Sequence, residues 1–484
     1  MNTFAFAGYP APFIHAEPEG KKVQHLIWGD YVKLLGGEAG DWVEVRGRRQ
    51  NGWMRKTDLQ EQRLLEVNYV DIGQGDSCFM VLPDGRFMLC DAGQSDNLMR
   101  FLSWRFNLRS NVDRVIRIPH AVISHPDQDH YKGFAPLFES TQFVFERVFH
   151  NGIVERAGDL PLGARGEVDG VDCLLDVIRE HDVLATHLAD PEFVGGRAYP
   201  KMLGDALQTG RVGRIVGLST RDRFLPDYEE DKEVSIEVLG PFPEDNEGGS
   251  LRWFGDVGKT KNGHSVVLKL RYREVKLLLG GDLNIPAERH LLSKHVGEAG
   301  SEGAADDFIE RARAVFEVDV AKACHHGSAD FTTTFLQAVN PVATVISSGD
   351  DEPHAHPRPE ALGAFGKYGR GERPLIFSTE LARSGTENLK DPEAFKQAVR
   401  SLIERRDTLD DPVKRAAVDK QIQKKLDELE RSVAVYGMIS LRSDGERILL
   451  AQKLERPRGN GDEWDFYRLE AIDGRLQYVS KHSG

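Results

Sequence analysis

Apolar residues change their rhythm twice along the chain. Up to about residue 60 they come in short runs separated by glycine turns, at Val23 to Trp28, Tyr31 to Leu35, Trp42 to Val45 and Gly52 to Met54. Runs this short, bounded by turn residues, predict strands of a small β-barrel and not a helical domain. From Leu64 onward the runs are longer and end in glycine or aspartate: Leu65 to Ile72, Cys78 to Leu82, Phe87 to Cys90 and Ala121 to Ser124, with a helix expected between Ser95 and Asn107. Strands are also expected at Val234 to Leu239, Ser265 to Tyr272, Val275 to Leu279, Val318 to Ala323 and Val342 to Ser347, several followed by helical periodicity. The pattern predicts an α/β fold for residues 64–484 behind a barrel at 1–60.

Two stretches depart from it. Residues of about 140–233 fit poorly and read as an insertion. Residues 383–433 read as a second insertion, a helical hairpin divided at Asp410-Asp411-Pro412, an N-cap followed by proline in the first turn. Its stripes, Phe395, Val399, Leu402 and Ile403 on one helix and Val418, Ile422, Leu426, Leu429 and Val433 on the other, suit core or dimer packing.

With 484 residues and 40% apolar composition, the chain is long enough for about three domains with cores of their own. The 63 basic and 77 acidic residues leave a formal charge of −14, so the bulk charge attracts neither polyphosphate nor an anionic membrane. Any contact with nucleic acid must be local, as along Arg105, Arg109, Arg114 and Arg117. No apolar run approaches the roughly 18 residues of a spanning helix. The N-terminus lacks a basic start, and Pro10 and Pro12 interrupt it, so no signal peptide is expected. Four cysteines without a CxxC pair fit a reducing cytoplasm.

The chemistry concentrates at Ser124-His125-Pro126-Asp127-Gln128-Asp129-His130, directly after an apolar strand. Four donors crowded at a strand end repel one another or go unsatisfied unless a cation organises them. The turn projects His125 and Asp127 to one side and Asp129 and His130 to another, which suits two adjacent ions. Leu277-Leu278-Leu279-Gly280-Gly281-Asp282 delivers a carboxylate that can bridge cations, and Lys322 through His325-His326-Gly327-Ser328 ends a strand with paired histidines, of which one is expected to ligate. Asp91, in Cys90-Asp91-Ala92-Gly93, is placed to orient a ligating histidine from behind.

Together these segments, with Val70-Asp71-Ile72-Gly73-Gln74-Gly75-Asp76-Ser77, resemble the metallo-β-lactamase-fold hydrolases, specifically the ComEC-type branch named for the nuclease-like domain of competence proteins. The resemblance covers about residues 64–381 and a final strand near Tyr436 to Leu450, and Asp127 in place of the usual histidine is characteristic of the branch. It implies an αββα sandwich and two divalent ions, manganese or zinc with magnesium possible. The implied ligands are His125, Asp127, Asp129, His130, Asp282, His325 and His326, with Asp76 and Asp91 behind them. Asp129, Asp282, Lys322 and His356 are the implied catalytic set, and His264 and Ser328 are candidate substrate contacts. His264 stands in Asn262-Gly263-His264-Ser265, where the branch tends to show asparagine and serine. At the N-terminus, Leu26-Ile27-Trp28-Gly29-Asp30, Gly40-Asp41-Trp42-Val43-Glu44-Val45-Arg46 and Gly52-Trp53-Met54 resemble the bacterial Src-homology-3-like module.

A divalent ion lowers the pKa of bound water from about 15.7 toward roughly 7 to 9, so hydroxide is available without a serine or cysteine nucleophile. The expected activity is phosphodiester hydrolysis by metal-bound hydroxide, most simply nuclease action on DNA or RNA. Hydrolysis of a small phosphodiester or ester, or a non-catalytic metal-containing interaction module, are the alternatives. Expected partners are nucleic acid or another phosphodiester, a protein docking on the SH3-like barrel or the hairpin, and a second copy in a homo-oligomer, with no membrane.

Overall fold

Two β-sheets packed on a common apolar layer form the body of the protein. The computed structural model describes residues 3–48, 50–297, 305–349, 355–379, 392–409, 411–433, 438–458 and 462–480. The larger sheet has ten strands, in the order Val212–Gly217, Phe143–His150, Ile116–Val122, Phe87–Ala92, Ser77–Val81, Leu65–Tyr69, Ile439–Ser443, Ile448–Arg458, Asp462–Ile472 and Arg475–Val479. Its first four strands are parallel, and the rest pair antiparallel. The smaller sheet runs Val234–Gly240, Val267–Tyr272, Val275–Leu279, Val320–Lys322, Ala343–Ile346 and Leu375–Ser378, parallel from Val275–Leu279 onward.

Alternation along each strand explains the layers. Val67, Tyr69, Met80, Leu268, Leu270, Leu277, Val320 and Val345 meet in the core between the sheets. Phe79, Leu89, Ile118 and Phe145 face outward onto Phe101, Leu102, Leu137 and Leu203 of helices over the large sheet. Leu278 and Ala321 do the same for the small sheet, under Leu291, Ala312 and Phe335. The expected α/β class is therefore present, with helices outside both sheets.

Residues 4–60 form a seven-stranded antiparallel half-barrel around Ala7, Ile14, Leu26, Val32, Val45 and Met54. Two of its strands, Phe4–Ala7 and Phe13–His15, lie in the proline-containing stretch that carried no strand signal. The half-barrel is fixed to the large sheet by buried charge. Arg442 Nη2 lies 3.3 Å from Asp30 of the half-barrel and its Nη1 2.5 Å from Glu66, while Arg48 holds Asp30 at 2.6 Å and Arg105 holds Glu66 at 2.9 Å.

The expected insertion at 140–233 needs correction. Phe143–His150 and Val212–Gly217 are strands of the large sheet, and the added structure lies between them. Glu146 and Arg147 interrupt the apolar run of the first strand, which hid it. The helical hairpin is present as Pro392–Asp407 and Pro412–Val433, capped by Asp411 accepting from the Val413 amide at 2.9 Å. Val418 is buried, whereas Ile403 is 43% exposed. Residues 383–391, Asp410, Tyr436 and the side chains of Leu426, Leu429 and Val433 lie outside the described residues. Among those described, no helix is long and apolar enough to cross a membrane, and the four cysteines are free thiols.

Candidate metal centre

The candidate ligands converge at the carboxyl ends of parallel strands in both sheets, where open α/β sheets place their ligands. His125, Asp127, Asp129 and His130 follow Ile116–Val122, Asp91 ends Phe87–Ala92, Asp282 follows Val275–Leu279 and His325-His326 follow Val320–Lys322. Close backbone approach makes this possible: a Cβ on Gly75 would lie 1.8 Å from the Asp129 carbonyl oxygen, so only glycine lets the Asp76 loop meet the histidine turn. Asp91, His325 and His326 have φ of 55°, 47° and 54°, a left-handed conformation costing about 1–2 kcal/mol per residue. The His325 pair is held there by its amide on the Gly281 carbonyl at 3.1 Å and by Ser328 N donating to the His325 carbonyl at 2.8 Å.

The imidazoles are oriented from behind. His130 Nδ1 lies 2.9 Å from Asp91 Oδ2, whose Oδ1 accepts from the Ser124 amide at 2.7 Å. His326 Nδ1 lies 3.0 Å from the Ser347 carbonyl and 3.2 Å from Asp76 Oδ1. Ser265 donates its hydroxyl proton to the Asn262 carbonyl at 2.7 Å, so its oxygen accepts from the Asp282 amide at 3.0 Å and from His125 Nδ1 at 3.3 Å. These acceptors assign the proton of each of the three rings to Nδ1. The Nε2 atoms, which then carry lone pairs, turn inward. Those of His125, His130 and His326 stand 3.9, 3.3 and 3.3 Å from one atom, Asp282 Oδ2, and His325 Nε2, of a ring whose Nδ1 has no such acceptor among the described residues, stands 3.9 Å from it. Asp129 adds a carboxylate 3.4 Å from His326 Nε2.

Electrostatics agree with a cation site. Burial opposes charge on His130 and His326, yet Asp282 with Asp91 and Asp129, or with Asp76, pushes both rings well above their ordinary value. A pocket that draws protons onto buried imidazoles draws a divalent ion in their stead. His125 Nε2 and Asp282 Oδ1 are buried without a hydrogen-bond partner, a costly arrangement that a cation relieves. Ligand atoms within 4.8 Å of one another form the groups His125/His130/Asp282, Asp129/His130/His326, Asp76/Asp91/His130 and Asp76/Asp282/His326.

Other expected residues are placed differently. Asp127 and His325 belong to none of these groups. Burial works against the charge of Asp127, but His125 and Lys261 hold its carboxyl down to about 2. Lys322 is buried with its ammonium on Asp76 and 3.2 Å from the Gly281 carbonyl, so it orients Asp76 and does not reach a substrate. His264 is not brought to the cluster. Its Nε2 meets the Arg252 carbonyl at 2.7 Å and its ring stacks on Phe254, because alternation turns Ser265 inward in its place. Ser328 Oγ accepts from the Asp330 amide at 3.2 Å, away from the cluster. His356 lies beside the paired histidines, its ring 5.5 Å from that of His325 and 6.3 Å from that of His326. Arg105 and Arg114 are engaged with Glu66 and the Phe106 carbonyl.

Sequence reasoning missed Ser265, Ser347, Lys261 and Glu155. Ser265 sat one place from the histidine that drew attention, and Lys261 carried no signal. No protein-family model matches the chain, and no curated protein matches it. Fold and site define a mixed α/β protein with His/Asp groups positioned to bind a metal ion.

Proposed function

We propose that this chain is a metal-dependent phosphodiesterase acting on DNA or RNA, with a metallo-β-lactamase αββα sandwich of the ComEC-type branch. The observation that carries the reading is the convergence of the Nε2 atoms of His125, His130 and His326 on Asp282 Oδ2, with each Nδ1 facing an acceptor. The helices outside two sheets that share a core support the fold. The choice of phosphodiester rests on the motif resemblance, since the net charge of −14 does not favour it.

Divalent ions, manganese or zinc before magnesium in this mixed imidazole and carboxylate set, supply activated water and charge neutralisation when bound. The chain's own groups do the rest. Asp91, Ser265 and the Ser347 carbonyl fix the three rings, and the Lys322–Asp76 pair supports His326 from behind. In this reading His325, with 26% of its side chain exposed, and His356, whose ring lies 5.5 Å from it, are the groups that would pass a proton to the leaving oxygen.

The test is cleavage of linear duplex, plasmid and single-stranded DNA and of RNA with manganese, magnesium or zinc, beside an Asp129→Ala, Asp282→Ala double variant. We expect metal-dependent cleavage that the variant loses. Turnover confined to small phosphodiesters or esters would replace the nuclease assignment, and stoichiometric metal without any turnover would favour a non-catalytic module.

A further inference from the structure

Asp127 stands in the position of a metal ligand, yet both of its carboxylate oxygens are already engaged. Oδ1 is paired with the ammonium of Lys261, and Oδ2 lies 2.8 Å from the Asn262 amide nitrogen, with that amide turned so that it also donates to the Gly258 carbonyl at 3.1 Å. Lys261 is itself clamped from the far side by Glu155 at 3.1 Å, and only 13% of its side chain is exposed. Glu155 comes from the structure added between Phe143–His150 and Val212–Gly217, and Lys261 from the helix Val257–Gly263. Two parts of the chain remote in sequence thus bring a fixed positive charge to the His125–Asp127 half of the centre.

The other half is built differently. Asp129, His130, Asp282 and His326, backed by Asp76, supply the groups Asp129/His130/His326 and Asp76/Asp282/His326, while His125 enters only through His130 and Asp282. Among the described residues no cationic side chain pairs with Asp129 other than imidazole, and the one lysine in this half, Lys322, has its ammonium on Asp76 and stands 3.9 Å from Asp282 Oδ1, leaving Asp282 Oδ2 to the imidazoles.

We propose that Lys261 is the resident cation of the His125–Asp127 half, so that the chain binds one divalent ion tightly, among Asp129, His130, Asp282 and His326, and a second only by displacing Lys261 from Asp127. This rests on the metal-centre reading above and sharpens it. A lysine and a divalent ion cannot both occupy the same carboxylate oxygen, and the ammonium, unlike a water, is tethered and is held by a second carboxylate. Neutralising Lys261 leaves Asp127 and Glu155 uncompensated beside His125, a set that draws a second ion.

Metal-free wild type, Lys261→Met and Asp127→Asn proteins, each checked by circular dichroism, are titrated with Mn²⁺ alone by calorimetry, and the metal per chain is counted by mass spectrometry. We expect one tight ion in the wild type and two in Lys261→Met, the second gaining roughly tenfold or more in affinity, the scale on which groups behind a metal site act. Asp127→Asn is expected to keep its one ion at wild-type affinity. Two tight ions in the wild type, one ion in Lys261→Met, or loss of the ion from Asp127→Asn overturns the inference and leaves the metal centre standing. A wild type that takes up no ion refutes the metal-centre reading, and this inference with it.

Discussion

Replacing Asp30 with asparagine tests whether the half-barrel is an integral part of the protein or a loosely attached module. Asp30 is 7% exposed and faces Arg442, whose side chain is 4% exposed, at 3.3 Å. The surrounding network holds Asp30 and Glu66 against Arg48, Arg105 and Arg442, so the substitution leaves one carboxylate for three guanidinium groups. At that separation and an effective dielectric of about 20, the Arg442–Asp30 attraction is about 5 kcal/mol. Relief of the Asp30 desolvation offsets part of it, and breaking a buried pair from one side costs about 3–5 kcal/mol, so a loss of about 3 kcal/mol is expected. Urea unfolding followed by Trp28 and Trp464, 1% and 3% exposed, reports on this seam. Burial opposes charge on Asp30 and Glu66, yet their arginine partners hold both carboxyls below the ordinary range. Depressed carboxyls contribute stability above their unfolded values that is lost as pH falls toward the folded ones. The wild type should therefore weaken more steeply on acidification than Asp30→Asn. A loss under about 1 kcal/mol at neutral pH would show that the charge network does not secure the half-barrel.

Two further substitutions probe the centre and its surroundings. Ser265→Ala removes the acceptor of the Asp282 amide and one of the two hydroxyls facing His125 Nδ1, the other being Ser124 Oγ at 3.0 Å, and manganese affinity measured by calorimetry should fall about 10- to 100-fold; unchanged affinity would mean that Ser265 does not position Asp282. Burial raises the carboxyl of Glu288 from 4.5 to about 8, against the amide of Thr332 that donates to it at 2.5 Å. The folded state then holds a proton that the unfolded state releases, so stability falls as pH rises from 4.5 toward 8. Glu288→Gln should flatten that decline in urea midpoints, and an unchanged slope would contradict it.

Much of the site was legible because metal ligands must lie near strand ends in short runs: His125 to His130, Asp282 and the His325 pair are each local patterns. What supports them is not local. Ser265 and His264 are adjacent, and which of the two turns inward depends on the face that meets the cluster, which spacing alone leaves open. Lys261 and Glu155 meet Asp127 only after three segments fold together, so composition gives no hint of them. In the fold, charged pairs hid the strand Phe143–His150, and prolines hid Phe4–Ala7 and Phe13–His15. The single final strand expected near Tyr436 to Leu450 is two antiparallel strands, Ile439–Ser443 and Ile448–Arg458, and Asp462–Ile472 and Arg475–Val479 extend the large sheet beyond them.

The centre draws its ligands from both sheets, His125, Asp129 and His130 from the larger and Asp282 and His326 from the smaller. An ion bound there is a clasp across the two halves of the molecule, joining segments more than a hundred residues apart in the chain. Chelation should then loosen the packing of one sheet on the other throughout their shared interface, with amide exchange rising on strands distant from any ligand. Metal supply would govern how long the protein persists in the cell as well as whether it acts.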